Sequence, residues 1–243
     1  MRFPLHVPAA CLALAGLVPS ANALPVVPGD LAGSEGAGRS CIPFHCNEAS
    51  YQQFYAAEAF PGAMELNAIA FRLNGNSAGR YLFDYDSVRI TVSTAEVDLA
   101  APSLSMEENA GADAVVVYDA PYSEVLLGKG SGRQGFQLSF NFDTPFHFDP
   151  SQGDLLVELT MSYGALSSSS VYLDFDYNET FTRVTSFRLG GSQADVGRGL
   201  VTRFSDRPRL AALPTPAGAP LLVTGFAGMA LVAARRRKRA STA

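Results

Sequence analysis

The 243-residue sequence predicts an all-β fold, a single antiparallel β-sandwich or jelly-roll-like domain, flanked by an N-terminal signal peptide and a C-terminal transmembrane sorting helix. Three observations carry this expectation. Period-2 alternation recurs through the middle of the chain, as in Phe136, Leu138, Phe140 and Phe142 set between Gln137, Ser139, Asn141 and Asp143, so one face meets a core and one meets water. Turn clusters separate these runs at short, regular intervals, as sandwiches require. No segment of 24–213 sustains an i, i+3, i+4 apolar stripe beyond about two turns, which disfavours helical bundles and doubly wound folds. With 47% hydrophobic residues the chain can bury a real core, and its 22 Gly and 15 Pro are too few for a low-complexity or collagen-like chain.

In chain order, residues 1–23 combine Arg2, an apolar stretch over 7–18 containing Cys11, and Ala21-Asn22-Ala23, a small-x-small cleavage pattern. These are the parts of a secretory signal peptide, and Pro4, Pro8 and Pro19 argue against a retained membrane helix. Residues 24–40, rich in Pro, Gly and Ser, predict a flexible lead-in to a domain over 41–206. Expected strands fall at 65–73, 88–92, 115–118, 136–142, 155–161, 171–177 and 200–204. The first is apolar on both faces and so is expected at the centre of a sheet. Expected turns are 74–76, 128–132, 149–153 and 190–191, with a loop at 167–170.

Charge is unevenly placed. The formal net charge is −5, but residues 24–213 hold all 23 acids and 12 of the 18 bases, a net of −11. A body of that sign repels nucleic acid. Residues 207–218 read as a spacer ending in a Pro-rich motif, 219–234 as a charge-free stretch, and 235–243 as a basic cytoplasmic tail opening with Arg235, Arg236, Arg237, Lys238 and Arg239. Sixteen residues rise roughly 24 Å as a helix, a marginal span of a roughly 30 Å hydrocarbon core. The five bases act as a stop-transfer signal on the cytoplasmic side, leaving the acidic body outside.

The string Pro214, Pro216, Ala217, Gly218, Pro220, Leu221 and Leu222, followed by a short apolar segment and an Arg-rich end, resembles the PEP-CTERM sorting signals of Gram-negative bacteria, in particular the VPLPA-CTERM variant. Leu213 and Thr215 stand where that variant has Val and Leu. The body echoes uncharacterised PEP-CTERM proteins in 41–44, 51–55 with 60–62, and 144–156. The resemblance implies an exosortase-type processing enzyme as partner, transient attachment to the inner membrane, and release to the cell surface or an extracellular polysaccharide matrix. It implies no chemistry.

The residues themselves offer few sites. Cys41 and Cys46 remain after leader removal, and in an oxidising compartment they predict a local disulfide. His45 between them makes an incomplete zinc set. His147, between Phe146 and Phe148, reads as a strand-edge residue rather than a general base. Asp174, Asp176 and Asn178 alternate along one strand face, which suits either a solvated surface or a calcium ion; Asp84 and Asp86 form a similar pair. A paired-carboxylate glycosidase needs a separation that sequence spacing does not give. A sugar platform is weakened by the absence of Trp, and the Phe content is expected to be mostly packing. These readings converge on a non-enzymatic surface or matrix protein, with a sugar- or calcium-binding module as the alternative and a secreted hydrolase behind it.

Overall fold

The computed structural model describes residues 25–44, 46, 49–163, 171–187 and 190–206. The leader, His45, the 167–170 loop and everything from 207 onward lie outside the described residues. That includes the sorting residues Pro214, Pro216, Ala217, Gly218 and Pro220, the 219–234 stretch and the basic cluster. No helix among the described residues is long and apolar enough to cross a membrane.

The body is all-β and antiparallel. Its strands are β1 (Val26–Val27), β2 (Gly38–Ser40), β3 (Ala49–Tyr55), β4 (Met64–Arg72), β5 (Ala78–Thr94), β6 (Val115–Lys129), β7 (Phe136–Phe148), β8 (Leu155–Tyr163), β9 (Leu173–Phe187), β10 (Gly191–Leu200) and β11 (Thr202–Asp206). Sheet A runs β1-β11-β4-β7. Sheet B runs β10-β9-β3-β8-β5-β6, with β2 paired to the start of β9. The sheets curl as a half-barrel. An antiparallel bridge between Leu73 and Leu173 joins them at one corner.

One core fills the space between the sheets. Phe71 of β4, Phe140 and Phe148 of β7 and Phe204 of β11 meet Tyr55 of β3, Phe83 and Tyr85 of β5 and Phe181 of β9. Burying each such ring is worth about 1.5–3 kcal/mol relative to exposing it. The outer face of sheet B is also covered at its centre, where Phe54, Leu156 and Val184 pack beneath Val97, Leu99 and Met106 of the 95–114 loop.

All seven expected strands are present; the expected turns at 74–76 and 149–153 lie between strands, while 128–132 begins inside the end of β6 and 190–191 runs into the start of β10. β4, apolar on both faces from Ala68 to Phe71, sits between β11 and β7, the central place its sequence predicts. Its last residue, Arg72, is covered by a segment expected to be flexible. Residues 25–40 are instead an ordered strap. β1 pairs with β11, a 3-10 turn at Gly29–Ala32 buries Leu31 beside Val26, Val201 and Phe136, and β2 pairs with β9. The Pro and Gly content that suggested mobility serves the path of the strap: a Cβ at Gly36 would lie 2.4 Å from the Phe175 carbonyl oxygen, so only glycine passes there.

Candidate functional site

The acidic strand face read from the sequence is where the structure departs most from expectation. Asp174 and Asp176 do share one side of β9, but the strap lies over them, and Asp174 is 1% exposed. Arg72, at the end of β4 and equally buried, enters from the other sheet. Its Nε donates to Asp174 Oδ2 at 2.6 Å, Nη1 donates to the Leu31 carbonyl at 3.0 Å and Nη2 to the Ser34 carbonyl at 2.6 Å. The Gly36 N–H donates to Asp174 Oδ1 at 3.1 Å and the Ala37 N–H to Asp176 Oδ1 at 2.8 Å. The Phe136 ring lies 5.0 Å from the guanidinium.

This arrangement ties three separate elements, β4, β9 and the strap, through one charge pair. Burial pushes the Asp174 carboxyl up from its ordinary value, while Arg72 and the Gly36 amide oppose that shift by favouring the anion. The expectation of a solvated face is thus corrected: the two carboxylates are internal acceptors. A calcium ion here would have to displace a guanidinium and the strap amides. Asn178 is apart from them in role, its Oδ1 accepting the Thr180 N–H at 2.9 Å in a local turn. Among the described residues no group of three or more His, Cys, Asp or Glu is placed to hold a metal.

Cys41 and Cys46 are bonded to each other, with Cα atoms 5.3 Å apart, inside the range a disulfide requires. The loop they close does more than tether itself. Phe44 at its apex is fully buried, with Phe71, Phe83, Tyr85 and Phe140 around it at ring separations of 5.5–6.3 Å, and Tyr85 donates its hydroxyl proton to the Phe44 carbonyl at 2.5 Å. The disulfide loop is therefore a plug for the half-barrel.

His147 is exposed on β7, opposite Glu65 of β4, as a strand residue beside a turn. Asp84 and Asp86 sit on β5 around a ladder irregularity between Tyr85 and Val88. The regular spacing that would aim both carboxylates at one ligand is interrupted there.

Three glutamines carry functions that the sequence did not signal. Gln53, buried inside the half-barrel, accepts the Leu200 N–H at 2.8 Å and donates to the Leu200 carbonyl at 2.9 Å, replacing a strand partner where the chain passes from sheet B to sheet A; Tyr51 also donates to it. Gln137 does the same for Leu127 at the opposite margin, at 3.1 and 3.0 Å. Gln52 donates to Glu158 and to the Met106 carbonyl, and accepts from Asn109, which pins the 95–114 loop. An amide side chain carries a carbonyl acceptor and two N–H donors, so it can face a peptide group as another peptide would and still donate once more, which is why glutamine can do this.

Surface aromatic groups are scarce. Phe44, Phe54, Phe71, Phe83, Phe140, Phe148, Phe181 and Phe204 are all fully buried, so the Phe content is packing. Tyr177 on β9 is the large exposed ring among the described residues, at 59%, with the Arg198 guanidinium 5.4 Å from its centroid. Arg198 and Arg183 both pair with Asp195 beside it.

A scan of protein-family models gives no match to this chain. Neither the curated proteins nor the solved structures contain a significant match to it.

Proposed function

We propose that this chain is an exported, non-enzymatic protein of a Gram-negative cell surface or extracellular polysaccharide matrix, sorted by its C-terminal segment and acting structurally or adhesively. The observation that carries the reading is the ordered layout of 214–239: a Pro-rich motif, a charge-free marginal span and five bases, following a body with a net charge of −11. The leader at 1–23 supports it from the other end. An exosortase-type enzyme would act on the motif and remove the apolar stretch and basic tail. The inner membrane is then a transient partner, and nucleic acid is no partner at all.

The body fits such a role physically. Its buried charges and amides are engaged with the chain itself, which suits a scaffold that must persist outside the cell. We place the fold with sandwiches of the jelly-roll type, on the support of two antiparallel sheets enclosing one aromatic core.

A second reading, a carbohydrate-binding module, has one specific observation in its favour: the exposed Tyr177 ring, flanked by Arg198 and Asp195, offers a stacking face beside polar partners. Replacing Tyr177 by Ala separates the readings. Retention of the protein in the native matrix is expected to survive that change and to be lost on deleting residues 214–243. The reverse result would favour sugar binding over sorting as the basis of its location.

A further inference from the structure

We propose that the end of sheet A where β1 and β11 meet is the pole that faces the bilayer while the chain is membrane-attached. The opposite end, with the 74–77 and 130–135 loops, is then presented outward. The inference rests on the reading of 219–234 as a membrane span and adds to it an orientation of the whole body.

The argument is one of strand register. β1 and β11 are antiparallel, with Val26 opposite Arg203 and Val27 opposite Thr202, and the Phe204 N–H donates to the Pro25 carbonyl at 2.9 Å. Going back from Val26 and forward from Arg203 therefore leads in the same direction, so the chain leaves toward its leader and toward its sorting segment from adjacent points. Residues 202 and 206 are separated in sequence from Pro25 by nearly the whole body, yet the fold brings both connections to one edge. On the other two strands of the sheet, the same end is marked by Met64 of β4 opposite Phe148 of β7, and by the turn that follows at 149–153. The far end is marked by Arg72 opposite Phe136, where Gln134 donates to the Gly75 carbonyl and the Gly130 N–H to the Ser77 carbonyl.

Lengths decide whether a tether can enforce that orientation. Residues 207–218 separate Asp206 from the apolar stretch. A coil of twelve residues has a root-mean-square reach of about 20 Å. β7 alone has 13 residues, roughly 43 Å at the usual strand rise, so the far end lies about two tether lengths further out.

The test uses the full chain, produced in a Gram-negative host without an exosortase-type enzyme, then purified and reconstituted into vesicles of phosphatidylethanolamine and phosphatidylglycerol. Ser151 at the near end and Ser131 at the far end are both exposed, and Cys41 and Cys46 are bonded to each other, so S151C and S131C each offer a unique labelling site once Cys11 has left with the leader. A fluorophore on each is read against a quencher carried on the lipid headgroups. Quenching several-fold stronger at 151 than at 131 is the expected result, repeated with Q152C against R133C. Equal or reversed quenching in chains that are embedded overturns the orientation and leaves the membrane reading standing. Chains that stay wholly out of the vesicles overturn both, so the two failures are distinguishable.

Discussion

Arg72 and Asp174 show why a single pair of residues can decide whether the N-terminal strap is part of the domain. Both are buried, and each supplies what the other and the strap backbone lack. Removing one partner strands a charge in a low-dielectric site, so Arg72→Met is expected to cost about 3–5 kcal/mol, whereas pairing it with Asp174→Leu should recover much of that loss. Urea midpoints of the two variants check this; equal destabilisation by both would mean the pair has no mutual role. Gln53 makes a comparable case with neutral groups. Gln53→Leu takes the acceptor from the Leu200 N–H, at about 1–3 kcal/mol, while the Leu200 carbonyl keeps the Thr202 hydroxyl as a donor, and the loss should appear as faster amide exchange at Leu200. None of these partnerships was legible in the sequence, because Arg72 stands 102 residues from Asp174 and Gln53 147 from Leu200. Spacing placed Asp174 and Asp176 on one face correctly; what covers that face depends on a tertiary contact with the strap.

At the scale of elements, the plug formed by Cys41, Phe44 and Cys46 separates two contributions that are easily confused. Closing so short a loop is worth about 2 kcal/mol in the chain-entropy account. Phe44 fills a site among four rings, and Phe44→Ala is expected to cost about 3–5 kcal/mol. The single Phe44→Ala change should therefore lower the thermal midpoint more than the double C41S/C46S change, and calorimetry of both decides the order. Strands with clean alternation, such as β7, were legible from residue pattern alone. β3 was not, since Gln52 and Gln53 interrupt its alternation and each is buried only because it has a distant partner. β5, β6 and β9 run longer than their apolar runs, to 17, 15 and 15 residues, because ladder bulges carry the pairing through polar stretches. β1 and β2 are too short for any periodicity to register.

The whole molecule is expected to be sensitive to alkali. Burial pushes the phenols of Tyr51, Tyr55 and Tyr122 above their ordinary value of 10.0, so the folded chain holds protons that the unfolded chain gives up. Stability is then fully present below about pH 10 and falls as pH rises beyond it, by about 1.4 kcal/mol per pH unit for each phenol. Denaturant midpoints taken on either side of that pH should show the decline, and Tyr51→Phe should flatten it. The central claim concerns the chain outside the body, that residues 1–23 and the segment beyond the Pro-rich motif are addresses removed in maturation. Intact-mass measurement of the protein recovered from the surface or matrix of its native host tests this most directly. The account predicts a species that begins near Leu24 and ends before the apolar 219–234 stretch. A mature surface protein still carrying residues 219–243 would contradict it.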